Sequence, residues 1–287
     1  MRHEDLIGRD LSTVRGAIRR AAYRGHTAGL APGRLQANLV ILPAAAASDF
    51  LRYCHANPKP CPVVGVSAPG DPRMPGLGGF DLRTDLPSYR LHRDGVPAGD
   101  VPDIAAFWTE DMVGVALGCS FTFEHALVAA GIDLWHVTHD QTVPMFRSTL
   151  PTVPAGPFGG PMVVSLRMIP EARVADAARI SARYPQAHGA PVHVGDPAAI
   201  GIEDMGAPDW GDPVPPPAAH VPMFWACGVT PQAALAAARL PFAITHTPGR
   251  MLICDLAEDA PVPGDPEDAL IPPLDPFGEP IQQGETT

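Results

Sequence analysis

The chain makes the same strand-to-helix transition twice. The first reads Met112-Val-Gly-Val-Ala-Leu-Gly-Cys-Ser-Phe-Thr-Phe-Glu-His-Ala-Leu127, and the second reads Val221-Pro-Met-Phe-Trp-Ala-Cys-Gly-Val-Thr-Pro-Gln-Ala-Ala-Leu235. In each, an apolar strand-like run ends at a cysteine and an alanine-rich helical run begins. Aligned from Cys119 to Cys227, a constant offset of 108 positions matches Thr122 with Thr230, Glu124 with Gln232 and Leu127 with Leu235. A second match, Val137-Thr-His139 with Ile244-Thr-His246, extends the repeat one residue out of that register. Backbone N–H groups at a strand-to-helix turn lack intrahelical partners and point outward, so each turn is a ready anion site. Helix N-termini also favour a nearby thiolate. Two such turns predict a duplicated half, with a site built between the halves.

The rest of the chain alternates strands and helices, which predicts a mixed α/β (α+β) domain around a large sheet, its two halves intertwined. Leu11 to Arg24 reads as an amphipathic helix capped by Ser12 and closed by Gly25. Leu35 to Pro43 reads as a buried strand, Ala44 to Ala56 as a helix, and Val63 to Ser67 as a strand after the rigid Lys59-Pro-Cys-Pro62 turn. Tyr89 to Arg93 before Asp94-Gly95 predicts a hairpin. Met162 to Arg167 predicts a strand followed by a helix from Glu171 to Arg183, and Phe242 to His246 predicts a last strand. The expected domain covers 1–255, with halves at about 30–150 and 160–255.

The net charge of −11 is concentrated at one end. From Asp255 to Thr287 there are acidic residues at 255, 258, 259, 265, 267, 268, 275, 279 and 285 and no Lys or Arg, so the preceding body is nearly neutral. Seven prolines between 261 and 280 share this stretch, and residues 256–287 are expected to form a disordered, solvated tail. No basic patch with interleaved aromatics points to nucleic acid. Five scattered cysteines without a CxxC pair point to neither a disulfide framework nor a zinc knuckle. The first residues lack a signal-peptide core, and no apolar run is long enough to span a bilayer. A cytoplasmic protein with no membrane partner is expected, and a homo-oligomer is compatible with the sequence. Neither GxGxxG nor GxxxxGK[ST] is present, so nucleotide binding is not indicated.

Several motifs together resemble a known family. They are Asn57-Pro-Lys-Pro-Cys-Pro62, Arg83-Thr-Asp-Leu-Pro87, Gly118-Cys-Ser-Phe121, His188-Gly-Ala-Pro-Val-His-Val-Gly-Asp-Pro197, Trp225-Ala-Cys-Gly-Val-Thr-Pro-Gln232 and Thr245-His-Thr-Pro-Gly249. Over roughly Gln36 to Asp255 the chain resembles the bacterial hydro-lyases similar to the D-glutamate cyclase module of animal mitochondria. The resemblance implies cyclisation of D-glutamate to 5-oxo-D-proline with loss of water. The acidic tail lies outside the shared region.

Such a ring closure needs a neutral amine, a polarised γ-carboxyl group, a held α-carboxylate and an acid for the leaving hydroxide. Glu124, His193 and His246 are candidates for moving protons, and Cys119 for a thioester-forming nucleophile or a weak donor. Candidates for binding the substrate carboxylates and amine are Asn38, Lys59, Arg83, Asp85, Ser120, His188, Asp196, Cys227, Gly228 and Thr230. Arg83 suits a bidentate clamp, and Lys59, the sole lysine among twenty basic residues, supplies a compact titratable charge. Structural alternatives stand beside these: Ser120 or Thr122 as a helix cap, Glu124 as a first-turn dipole partner, Asp85 as a turn residue. No cofactor is required, although His188, His193 and Asp196 offer mixed N/O ligands for a divalent metal. The alternatives to a cyclase are a metal-assisted dehydratase or amide hydrolase, and a non-catalytic carboxylate-binding protein. Gln36 and Asn38, amides on an apolar strand, must find partners if buried.

Overall fold

Apolar strands of this length must be covered on both faces or paired at their edges. In the computed structural model, which describes residues 1–139 and 141–260, two antiparallel sheets meet that requirement. The first contains β1 (Arg34–Pro43), β2 (Val63–Val66), β3 (Tyr89–Arg93), β4 (Val96–Val101), β5 (Met112–Gly118), β10 (Ala243–His246) and β11 (Leu252–Ala257). Their order is β2-β5-β1-β10-β3-β4, with β11 also on β1. The second contains β6 (Met145–Pro151), β7 (Pro161–Pro170), β8 (His193–Val194) and β9 (His220–Ala226), in the order β6-β7-β9-β8. The helices are α1 (Leu11–Arg19), α2 (Ala44–Ala56), α3 (Phe121–Ala129), α4 (Trp135–Thr138), α5 (Val174–Ser181) and α6 (Val229–Ala238). None of the described helices is long and apolar enough to cross a membrane.

Strand β1 organises the larger sheet because side chains alternate across it. Leu35, Ala37, Leu39 and Ile41 enter a core with Met74, Leu77, Phe80 and Leu82 from the long loop after β2. Val40 and Leu42 enter the opposite core, where Phe50 and Leu51 of α2 meet Ala234 and Leu235 of α6. The smaller sheet gives Ile169, Met223 and Trp225 to a core completed by Phe123 and Leu127 of α3 and Ala177 and Ile180 of α5.

The repeat seen in the sequence is a repeat of pairing register. Strand β1 pairs with β5 from Ala37↔Gly118 to Pro43↔Met112, and β7 pairs with β9 from Val164↔Ala226 to Pro170↔His220. The same two shifts, Asn38 to Ser165 and Leu117 to Trp225, carry every pair of one ladder onto the other. The halves also exchange elements. Helix α3, which follows β5, packs on the smaller sheet, whereas α6, which follows β9, packs on the larger one. Strand β6 pairs with β7, and β10 returns to pair with β1.

Local structure departs from the sequence expectations at four places. Helix α1 is capped by the Asp10 carboxylate, which accepts from the Thr13 N–H, rather than by Ser12. It ends at Arg19 because Ala21 turns into the left-handed region (φ 60°). The run after β7 is a 3-10 turn, Glu171–Arg173, before α5, because Arg173 leaves helical geometry (φ −114°). Val137-Thr138-His139 is not a structural counterpart of β10. It lies in and just after α4, where Trp135 and His139 stack with ring centroids 3.7 Å apart. Strand β11 runs through Ala257, past the expected start of the tail, and residues 261–287 lie outside the described residues.

One close approach locks the two sheets together. A Cβ added to Gly118, at the end of β5, would lie 1.6 Å from the Gln186 carbonyl oxygen. Gln186 belongs to the 3-10 turn Pro185–Ala187, which therefore sits directly against the first cysteine turn. The Gly118→Ala variant is expected to lose about 1–3 kcal/mol of stability, the usual range for overpacking. Urea denaturation checks this, and the loss should be accompanied by displacement of the 185–188 turn.

Candidate active site

Each cysteine turn is built in the same way. The chain leaves a buried strand at Gly118 or Ala226, passes Cys119-Ser120 or Cys227-Gly228, and enters a helix. The N–H two residues on, Phe121 or Val229, bonds to the sulfur, and the N–H of Thr122 or Thr230 returns to the cysteine carbonyl. Neither α3 nor α6 has a side-chain cap at its N-terminus. Asn38 joins the turns: its Nδ2 donates to the Gly118 carbonyl at 3.0 Å, and a Cβ on Gly228 would lie only 2.6 Å from it. Thr230 bonds both the N–H and the carbonyl of Val163 through Oγ1 and fixes the start of α6 to β7.

Beside these turns lies a buried ion pair. Arg167, on β7, and Glu124, in the first turn of α3, are 2% and 4% exposed. Arg167 Nε donates to Glu124 Oε1 at 3.1 Å, and Nη2 reaches the same oxygen. His136 Nε2 lies 3.2 Å from Oε1, and the Ser120 hydroxyl lies 3.5 Å from it. All four of these contacts end on Oε1, and none reaches Oε2. Arg167 also bonds Ser120 Oγ at 3.1 Å and Ser165 Oγ at 2.7 Å, while its guanidinium lies over the rings of Phe123 and Trp225. Burial alone would favour a neutral carboxyl at Glu124. The Arg167 and His136 charges and hydrogen bonds outweigh it and hold the pKa down to about 2.

The thiols and two buried histidines are neutral. Burial pushes Cys119 up to about 12 and Cys227 up to about 11, against the weaker lowering effect of the N–H bonds to sulfur. Burial likewise pushes His188 and His246 down to about 4. His188 lies close enough to Arg167 and Glu124 to feel both charges. Its Nδ1 is 2.7 Å from the Lys59 carbonyl, which only accepts, so Nδ1 carries the proton.

The structure brings Asn38, Cys119, Ser120, Glu124, His188, Cys227, Gly228 and Thr230 into or around this cluster. It places the other candidates elsewhere. Lys59 Nζ donates to the Ala190 carbonyl at 2.8 Å and so braces the His188 turn. Arg83 clamps Asp81, and Asp85, its side chain fully buried, accepts from Arg19 Nε at 2.7 Å. Both lie in the loop that covers the opposite face of the larger sheet. His246 accepts the Leu39 N–H at 3.2 Å, where β10 leaves β1. His193 bonds the Asp196 carbonyl, and the Asp196 side chain caps a 3-10 turn. Among the described residues, no three His, Cys, Asp or Glu side chains are grouped to hold a metal ion.

Sequence reasoning missed Arg167, His136 and Ser165. Arg167 had a signal: it is the one charged residue in the ten-residue run of β7, with Ser165 on the same face two positions earlier. Ending that strand at Arg167 hid the fact that the residue is interior to it. His136 sits in a four-residue helix with no pattern to mark it.

Comparison with known proteins adds a family context to this geometry. The family described as D-glutamate cyclase matches residues 113–255, a span that contains both cysteine turns, Glu124 and Arg167. A protein of Dinoroseobacter shibae described as "Putative hydro-lyase" is 59% identical over 285 residues, covering 99% of this chain and 93% of its own. A relative from Ruegeria pomeroyi with the same description is 62% identical over 262 residues, covering 91% and 95%. One from Corynebacterium urealyticum is 52% identical over 243 residues, covering 83% and 93%.

Two measurements test the electrostatics. Removing one member of a buried ion pair strands the other, so Glu124→Gln and Arg167→Met should each cost about 3–5 kcal/mol. In the double variant the losses should be strongly non-additive, as a double-mutant cycle in denaturant will show. For the histidines, the unfolded chain takes up protons below about pH 6.5, and the folded chain does not until about pH 4. Their contribution is complete above that window and is lost as pH falls through it, by up to about 1.4 kcal/mol per pH unit for each histidine. Chemical denaturation between pH 7 and 4 should show that slope, and His246→Gln should flatten it.

Proposed function

The chain belongs to the bacterial hydro-lyase family of these relatives, carbon–oxygen lyases, and on that premise we propose that it cyclises D-glutamate to 5-oxo-D-proline with release of water. The supporting observation is a buried carboxylate–guanidinium pair set beside two helix N-termini that lack side-chain caps. The substrate has two carboxylates and an ammonium, and the site offers complementary groups. The N–H groups of Ser120 and Gly228, which immediately precede α3 and α6 and are not used by the bonds within each turn described above, receive one carboxylate each. Because the contacts to Glu124 converge on Oε1, its Oε2 is the oxygen that faces the ammonium.

Arg167 is held by Glu124, Ser120 and Ser165, so it orients the carboxylate of Glu124 and does not leave it to clamp substrate. The neutral thiols act as S–H groups lining the turns. A thioester through Cys119 would require a thiolate that burial disfavours. Asn38 keeps the turns at a fixed separation, which selects the length of the dicarboxylate. Five free cysteines, two of them at this site, fit the reducing cytoplasm. The catalytic domain is taken as residues 1–257, with the acidic tail outside it.

Incubation with D-glutamate followed by chiral chromatography should reveal 5-oxo-D-proline above a heat-inactivated control. Glu124→Gln should lower kcat/KM by about 100-fold or more, the scale of a lost electrostatic or proton-handling group. Cys119→Ala should stay within a few-fold of the parent. No product with either D- or L-glutamate, with and without divalent metal, would overturn the assignment.

A further inference from the structure

Among the groups close to the ion pair, one carries a lone pair that the reading above does not use. His188 is 1% exposed, lies near Arg167 and Glu124, and has its Nδ1 proton committed to the Lys59 carbonyl at 2.7 Å. Its other nitrogen, Nε2, is therefore an acceptor in the neutral ring. The residue adopts φ 77° in the left-handed region, where a histidine is strained. Such strain persists where the surroundings over-determine a conformation, as at functional sites.

The surroundings here are specific. Pro58 and Pro60 flank Lys59 in a turn closed by the Cys61 N–H on the Asn57 carbonyl, and the two proline rings restrict the backbone that aims the Lys59 carbonyl. The Lys59 side chain spans the same turn from the other side, with Nζ donating to the Ala190 carbonyl at 2.8 Å. The Pro185–Ala187 turn preceding His188 is pressed against Gly118 with no room for a methyl group. Lys59 thus grips the His188 turn at two points, backbone to ring and side chain to backbone.

We propose that His188 is the proton-transfer residue of the reaction, acting through Nε2, and that Lys59 is the positioning residue that fixes its tautomer and place. The assignment rests on the cyclase reading. His188 Nε2 takes a proton from the substrate ammonium, and the freed amine lone pair attacks the γ-carboxyl carbon to form the C–N bond. The imidazolium returns that proton to a γ-carboxyl oxygen. The second proton lost by nitrogen follows the same route, the C–O bond breaks, and the two protons leave with that oxygen as water. No oxidant or co-reactant is needed. Burial that disfavours the imidazolium makes the first transfer, from the ammonium, the costly one and its return to the departing oxygen correspondingly favourable.

Three readouts separate the alternatives. With D-glutamate, His188→Ala should lose at least 100-fold in kcat while still being thermally stabilised by the substrate, and added imidazole should restore part of the rate. Lys59→Met should lower kcat about 10-fold with KM changed less than threefold. Nitrogen NMR of the ligand-free protein, with His188→Gln as the assignment control, should show His188 protonated at Nδ1. In Lys59→Met that signal should broaden or shift toward the other tautomer. A ring protonated at Nε2 in the parent protein would overturn the proposal, as would His188→Ala turnover within a few-fold of parent. If D-glutamate neither binds nor reacts, the substrate reading fails. The tautomer and its response to Lys59→Met then still decide whether Lys59 positions a basic Nε2.

Discussion

A guanidinium and a carboxylate withdrawn from water impose more on this fold than any apolar contact. Arg167 comes from the smaller sheet and Glu124 from the helix that follows a strand of the larger one. Each must find the other, because an unpaired charge at that depth costs several kcal/mol. Their pairing dictates that α3 leave the sheet of its own strand and lie across the other. The remaining polar partners are consequences. Ser120, Ser165 and His136 satisfy what the pair leaves open, and Phe123 and Trp225 cover the guanidinium where no hydrogen bond is available. A well-packed apolar pair of equal volume would give comparable stability, so stability does not account for the choice of ions.

The internal repeat shows where symmetry ends. By the register correspondence, Asn38 stands where Ser165 does, and Val40 stands where Arg167 does. Across the cysteine turns, Ser120 answers to Gly228 and Glu124 to Gln232. The framework of strands, turns and exchanged helices is shared by both halves, but the charges occur in only one combination of them. On the proposed reading, two turns of the same build suit a ligand with two similar ends. One ion pair and one histidine turn, present in only one of the two halves' combinations, would then distinguish the ends and confine the proposed chemistry to one of them.

The sequence made much of the framework readable, and the reasons are physical. The ends of α2 are legible because Pro43 opens it and Asn57-Pro58 closes it, and the first hairpin because Asp94-Gly95 can adopt the positive φ angles its turn requires. The cysteine turns are legible because local composition changes abruptly at each. The site is only half legible. Cys119, Ser120, Glu124 and His188 lie in motifs, but their partners come from strands whose purpose is set by distant contacts. Arg83, Asp85 and His246 show the converse: charged or polar residues in conspicuous motifs whose partners turn out to be Asp81, Arg19 and the Leu39 backbone. A motif records that a side chain is constrained and leaves open by what.

Charge balance argues for a zwitterion over a plain dicarboxylate. Arg167 and His136 are both engaged with Glu124, and the thiols, His188 and His246 are neutral, so the cluster offers a ligand no full positive charge that is not already facing Glu124. Helix N-termini supply only partial positive charge, roughly half a unit each, spread over backbone N–H groups. A dianion would therefore bring two full negative charges next to the Glu124 carboxylate with partial compensation at best. An ammonium on the same molecule removes one of them and meets Glu124 directly. In the proposed cyclisation, proton loss from that ammonium would have a local consequence: the charge holding the amine against Glu124 would disappear as the nucleophile is created, releasing the amine toward the γ-carboxyl group.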